Sequence, residues 1–185
     1  MVAQFKIDLE KWIAIDKESL LAILNTILFH RVFGIIQPIE SENELHYLKV
    51  KDEALKSKIE SITYEAINRI KIDKEHLWLI ELTLMERKYR KAWFSVTEEE
   101  VDWEHWSLIL NDHTNANYNN TNKERQIKKI LMSIIHTMDQ FKEHIPPITS
   151  KDKFVFPYKL NLKSQPINTK DKIQGLEIEP MNLLN

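Results

Sequence analysis

A run of apolar residues without a polar face is the feature that most constrains how this chain can fold. Residues 20–33 read LLAILNTILFHRVF, and large apolar side chains occur on every side of a helix built from them. A surface helix keeps one face in water, so this segment is predicted to be a central helix, buried on several sides. Asp16 or Ser19 can cap its start, and Gly34 is placed to end it in the left-handed conformation. The run is shorter than the roughly 20 apolar residues that cross a bilayer, so we expect no membrane span.

The composition excludes several classes of function. With 26 basic and 28 acidic residues among 185, the chain has no basic excess that would favour nucleic acid or an anionic membrane. The absence of cysteine fits a reducing compartment, and we expect a cytoplasmic protein. Two glycines are too few for a phosphate-binding loop or a dinucleotide fingerprint, so no cofactor is expected.

Hydrophobic periodicity predicts one α+β domain in which three helices pack on a mostly antiparallel sheet. Strands are predicted at 4–10, 77–85, 101–111 and 156–162, a hairpin at 35–50, and further helices at 52–70 and from Thr121 to Ile145, where two prolines end the last one. We interpret the charged residues 86–100 as a long connection between two antiparallel strands. Residues 1–163 are assigned to the domain, and residues 164–185 to a C-terminal tail with a weak edge-strand candidate at 173–178.

Trp93 and Phe94 are the strongest candidates for a binding site. They lie between a basic run at 88–91 and an acidic run at 98–100, and a charged connection is an unfavourable place to bury two large aromatic residues. Exposed aromatic side chains anchor interfaces because each carries a large apolar area. The alternative is that Trp93 packs back onto the sheet.

No residue pattern predicts a catalytic or metal site. The seven histidines include no two at the three- or four-residue helical spacing that presents paired metal ligands. The carboxylates of 98–102 together with His105 could supply acid and base groups, so a small hydrolase or transferase using residues 98–105 is the alternative function. A solvated acidic loop explains the same residues without catalysis. Trp103 and Trp106 adjoin an alternating strand and are predicted to lie in the core.

Four stretches together resemble the HORMA-domain proteins of autophagy initiation. They are LLAILNTILFHR at 20–31, the aromatic pattern at Trp93, Phe94, Trp103 and Trp106, ERQIKKIL through IPPI at 124–148, and FPYKLNL at 156–162. The resemblance implies a HORMA-like domain and a non-enzymatic subunit of the autophagy initiation kinase complex at the phagophore assembly site. It implies a heterodimer with the HORMA domain of autophagy-related protein 13, which this chain would stabilise. It also implies that Trp93 and Phe94 form an exposed finger that recruits downstream autophagy factors.

Overall fold

Three helices and seven strands make up the part of the chain that the structure describes. The computed structural model describes residues 2–9, 15–32, 34–40, 46–92, 94–110, 120–148 and 156–179. The elements are β1 (Ala3–Asp8), α1 (Lys17–Val32), β2 (Ile36–Glu40), β3 (His46–Val50), α2 (Glu53–Ile72), β4 (His76–Ala92), β5 (Ser95–Leu110), α3 (Asn120–Gln140), β6 (Tyr158–Pro166), a short 3₁₀ helix (Ile167–Lys172) and β7 (Leu176–Glu177). Within these ranges, no helix combines the length and the apolar character needed to cross a membrane.

The main sheet has the strand order β6-β4-β5-β1-β7, and β2 pairs with β3 in a separate hairpin. β4 is antiparallel to β5 and β6, whereas β1 is parallel to both β5 and β7. The predicted α+β class, with three helices on a mostly antiparallel sheet, is confirmed, and the arrangement is consistent with a HORMA-like domain. β6 continues to Pro166, beyond the domain limit predicted at residue 163, and β7 lies at the sheet edge within the predicted tail.

α1 is the centre of the hydrophobic core, as its all-round apolar pattern predicts. It contacts α2, α3 and β3, so the apolar side chains on its different sides are buried, except that of Phe29, which is partly exposed. Asp16 caps its start, because the backbone N–H of Ser19 donates to Asp16 Oδ1 at 2.8 Å. The same oxygen accepts a hydrogen bond from the Ser19 hydroxyl at 2.5 Å.

The two glycines lie where elements pack closely. The expectation that Gly34 ends α1 in the left-handed conformation is wrong, because the φ of Gly34 is not positive. Of the two glycines, Gly175 is the one with a positive φ, of 138°. Gly34 matters for packing instead: a Cβ there would lie 2.5 Å from Cγ1 of Val50 on β3. At Gly175 a Cβ would meet the backbone of Phe5 at 3.0 Å, so both the positive φ and the contact with β1 require glycine.

The predicted long connection at 86–100 is also wrong, because β4 and β5 run through it as paired strands. The strand register places Arg87 opposite Glu100 and Lys88 opposite Glu99, so the basic and acidic runs face each other. Opposite charges across a strand pair are favourable, which explains how such polar sequence forms a ladder. β6 pairs with β4 only as far as Leu84, and β1 pairs with β5 only from Glu104 onward. We name the two-stranded extension, residues 86–92 and 95–101, the arm.

A β-bulge separates the arm from the body of the sheet. Leu84 pairs with Glu104 but Met85 pairs with Asp102, which leaves Trp103 as the extra residue on β5. Trp103 and Glu104 are both buried as a result, although they are neighbours in a strand. Trp103 packs against Phe156 with ring centroids 5.0 Å apart. The prediction that Trp103 and Trp106 belong to the core is confirmed.

Candidate interaction surfaces

Phe94 lies at the end of the arm. Ala92 pairs with Ser95 in the last step of the ladder, and the side chain of Phe94 is 98% exposed. Trp93 lies outside the described residues. Seven ladder residues at about 3.3 Å each place the tip roughly 20 Å beyond the body of the sheet. An exposed aromatic side chain so far from the core contributes no packing to the fold, so it is available to a partner. The recruiting role of Trp93 and Phe94 stays a prediction.

The arm carries ordered charge pairs on both faces. Alternation along the strands puts Arg87 on one face with Glu98 and Glu100, and its Nε lies 3.1 Å from Glu98 Oε1. Lys88 lies on the other face opposite Glu99, and its Nζ is 2.7 Å from Glu86 Oε1. Each of these two cations therefore has carboxylates on two sides.

A second surface is an apolar groove of about 530 Å³ between α1, β3 and α3. Its apolar lining comes from Phe29, Leu48, Leu131, Met132 and Ile135, and its polar border from Thr26, His30, His46, Tyr47 and Lys128. Met132 and Ile135 are 46% and 36% exposed, on the side of α3 that turns away from the core. Grooves of this size with a mostly apolar lining are typical binding sites.

Sequence reasoning missed this groove, although one signal pointed to it. The core-facing positions of α3 are Ile127, Ile130, Leu131, Ile134 and Met138. Met132 and Ile135 are apolar residues at positions where a simple amphipathic helix carries polar ones. Large exposed apolar residues next to one another mark contact surfaces more often than single ones do.

Tyr47 adds a neutral polar group beside the groove. Burial, together with the charges of Glu18 and Glu60, raises the pKa of its hydroxyl to about 12. These two carboxylates do not line the groove; together with Tyr47 they line a neighbouring pocket on the other side of this residue. His30 lies nearby, and one of its ring nitrogens, Nδ1, is 2.7 Å from the carbonyl oxygen of Thr26.

A buried ion pair joins the end of α1 to the main sheet. Arg31, near the end of α1, donates from Nε to both carboxylate oxygens of Glu104 on β5, at 3.1 and 2.9 Å. The indole N–H of Trp106 donates to Glu104 Oε1 at 2.6 Å, and His144 Nε2 lies 2.6 Å from Glu104 Oε2. Arg31 Nη2 also reaches the carbonyl oxygen of Phe141, at 3.3 Å, just after α3. This network ties α1 and α3 to the sheet.

The residues of the alternative enzymatic site are only partly brought together: the charge of Asp102 acts on His105 and opposes the lowering of its pKa, but Glu98 is paired elsewhere. His105 contacts the Thr83 hydroxyl at 3.0 Å and the Ser107 hydroxyl at 3.3 Å. Burial lowers the pKa of His105. Glu98 is paired with Arg87 in the arm. Ser107 is buried, so this hydroxyl does not meet solvent as a nucleophile must. Within the described ranges, no group of three or more His, Asp or Glu side chains is arranged to hold a metal ion.

Comparison with known proteins identifies a family for this chain. The family model described as autophagy-related protein 101 matches residues 13–152, which is more than half of the chain. The chain is also similar to autophagy-related protein 101 of Arabidopsis thaliana, with 26% identity over 175 residues, covering 80% of this chain and 80% of that protein. The span that the family model matches includes α1, the arm with Trp93 and Phe94, and α3.

Proposed function

Because the chain belongs to the autophagy-related protein 101 family, we propose that it is a non-enzymatic adaptor of the autophagy initiation kinase complex. In this role it acts in the cytoplasm and at the phagophore assembly site. It pairs with the HORMA domain of autophagy-related protein 13, stabilises that domain, and recruits downstream factors. Of the two surfaces described above, this proposal assigns the groove to the pairing and the tip of the arm to the recruitment.

The exposure of Phe94 is the observation that carries this proposal. An aromatic side chain 98% exposed at the tip of a two-stranded arm is costly in water and contributes nothing to the core. Such a side chain fits a pocket on another protein, where aromatic anchors commonly contribute most of the binding free energy. We assign the recruiting role to Trp93 and Phe94 together.

The groove between α1, β3 and α3 supports the heterodimer. The groove exposes Met132 and Ile135. Burial of this surface under the HORMA domain of autophagy-related protein 13 would remove apolar area from water, the main driving force of stable association. Because the arm lies outside the groove, it stays free in the heterodimer, and the protein can bind the HORMA domain and a downstream factor at the same time.

The recruiting role is tested with the double variant Trp93→Ala, Phe94→Ala. We expect it to keep its melting temperature and its binding to the partner HORMA domain, but to lose autophagic flux in cells. Tyr64→Ala is the matched control, because Tyr64 is also an exposed aromatic, 67% exposed on α2. A stable double variant with full flux would disprove the recruiting role.

The heterodimer is tested by mixing the protein with the HORMA domain of autophagy-related protein 13. A partner that binds only the folded state at 100 times its Kd adds about 2.7 kcal/mol of stability, so the melting temperature should rise. Ile135→Asp should abolish this rise, because it places a carboxylate in the apolar groove. Ile72→Asp, at an exposed position on α2, should not. An unchanged melting curve at saturating partner would contradict the pairing, and a retained rise in Ile135→Asp would exclude the groove.

A further inference from the structure

We propose that Arg87 and Lys88 are positioning residues that hold the two strands of the arm together, so that the presentation of Phe94 depends on ionic strength and on the charge of the arm. This inference rests on the proposed recruiting role of the tip, because it concerns how the tip is delivered to a partner. Neither cation is expected to touch that partner.

Among the arm side chains that the structure describes, little else stabilises the pairing of the two strands. Beyond Leu84 on β4 and before Glu104 on β5, the described strands β6 and β1 no longer pair with the ladder. Lys88, Tyr89 and the residues at 97–100 are exposed, so no apolar layer covers either face there. A two-stranded hairpin without a packed face is marginally stable in water. The arm is therefore the kind of element in which small contributions decide whether the strands stay paired.

Charge pairing is the contribution that the described side chains show. Arg87 lies between Glu98 and Glu100 on one face, with its Nε 3.1 Å from Glu98 Oε1. On the other face Lys88 contacts Glu86, which is on the same strand, and lies directly opposite Glu99 on the other strand, so its attraction across the ladder is to Glu99. If Arg87 were replaced by glutamate, the new carboxylate would lie directly opposite Glu100, and like charges directly opposite each other in a ladder are destabilising.

The size of the effect explains why it matters here and not in the body of the sheet. One exposed ion pair shifts an equilibrium by at most about fivefold. A shift of that size is negligible for a strand held on both sides, but it changes the population of a marginal arm directly. For a partner that binds only the formed arm, the apparent Kd equals the intrinsic Kd divided by the fraction of molecules in which the arm is formed. Weaker pairing in the arm therefore lowers the affinity of the tip without touching it.

Amide hydrogen exchange on the full chain tests the inference without any partner. In Arg87→Glu at low salt, we expect exchange in the arm to be about two- to fivefold faster, with unchanged exchange in α1. Raising sodium chloride to 1 M should accelerate exchange in the arm of the natural protein in the same direction, because salt screens exposed charges. The variant with Arg87→Glu, Glu98→Lys and Glu100→Lys mirrors the charges and should restore slow exchange.

Lys163→Glu is the matched control. Lys163 on β6 pairs with Glu81 on β4, which is the same chemistry within the multistranded sheet. We expect its reversal to leave exchange in the arm unchanged. Unchanged exchange in the arm of Arg87→Glu, or a mirror variant that fails to restore it, would overturn the inference.

Phe94→Ala separates this inference from the recruiting role. It removes the tip side chain but keeps every charge pair, so exchange in the arm should match the natural protein. Full autophagic flux in the double variant Trp93→Ala, Phe94→Ala would disprove the recruiting role. It would not affect the conclusion drawn from amide exchange about the arm. If flux is lost in the double variant but amide exchange in the arm of Arg87→Glu is unchanged, the positioning role is disproved and the recruiting role is kept.

Discussion

Arginine meets glutamate at two places in this protein, at similar distance but in opposite surroundings. Arg31 Nε and Glu104 Oε2 are 2.9 Å apart, with side chains 3% and 0% exposed. Arg87 Nε and Glu98 Oε1 are 3.1 Å apart, with side chains 32% and 48% exposed. The distances differ by little, so distance alone does not show what each pair contributes to folding.

The two pairs differ in whether water can solvate the remaining charge when one partner is removed. In the arm, water replaces the lost partner, and the net change is small. At Glu104 no water is available, and Trp106 and His144 also direct their ring nitrogens at its oxygens. Removal of one partner there leaves a buried charge uncompensated, which is strongly destabilising. The buried pair therefore supports the body of the protein, whereas the exposed pair acts on the arm alone.

The largest effect is expected from Glu104→Ala. Arg31 would keep its charge in the core without a carboxylate, so the free energy of unfolding should fall by about 3–5 kcal/mol. Urea denaturation followed by tryptophan fluorescence measures the change. The double variant Arg31→Met, Glu104→Leu removes both charges and should recover much of the loss. If Glu104→Ala lowers the free energy of unfolding by less than about 1 kcal/mol, the range of surface ion pairs, the buried pair would contribute no more than the exposed pair in the arm.

Asp16 provides an intermediate case between the two regions. Burial raises the pKa of Asp16, but hydrogen bonds from Lys123 and Ser19 and the charge of Lys123 outweigh burial and lower it below the ordinary 3.8. Asp16→Ala should cost about 1 kcal/mol at neutral pH, the usual contribution of a helix N-cap. Because the folded pKa is lowered, the charge of Asp16 stabilises the protein above the unfolded pKa, and this part is lost as pH falls through the folded value.

The measurement for Asp16 is urea denaturation of both proteins at a series of pH values. The difference in free energy of unfolding between the natural protein and Asp16→Ala should be complete at about pH 6. It should become progressively smaller below pH 3.8, the ordinary pKa of the carboxyl. Lys142→Ala serves as a control, because its ion pair with Asp139 is exposed and lies after the core-facing part of α3. A difference that stays constant down to pH 2 would mean that the charge of Asp16 does not contribute.

The smallest effect on stability is expected at the tip of the arm. Phe94→Ala should change the free energy of unfolding by no more than about 0.5 kcal/mol, because the side chain has no packing to lose. Phe5→Ala is the matched control in the core: Phe5 is buried and stacks on Trp106 at 4.7 Å, so about 3–5 kcal/mol should be lost. A comparable loss in Phe94→Ala would show that the tip packs against the fold.

Local patterns in the sequence predicted the elements of the body well. The all-round apolar run at 20–33 predicted a buried α1, and the spacing of apolar residues predicted α2 and α3, because helix formation and burial are both encoded at steps of three and four residues. The alternation around Trp103 and Trp106 likewise placed both in the core. These features depend on residues close together in the chain.

Features that depend on distant residues were not predictable in this way. Arg31 and Glu104 are 73 positions apart, and neither carries a local sign that it is buried. The arm was interpreted as a connection because each strand alone is polar and charged; the opposite charges that stabilise it become visible only when the strands are aligned. The parallel pairing of β1 with β5 and β7 has no local signal either.

That parallel pairing has a consequence for how the protein is made. The partner residues of β1 in β5 follow about 100 positions later in the chain, beginning with Glu104 opposite Ala3. At translation rates of 5–20 residues per second, β1 waits about 5 to 20 seconds for that strand. During this interval α1 has also been made, but α3, which covers one side of it, has not, so part of its apolar surface stays exposed and the nascent chain can aggregate. We therefore expect the growing chain to depend on ribosome-associated chaperones more than a protein with mainly local contacts does.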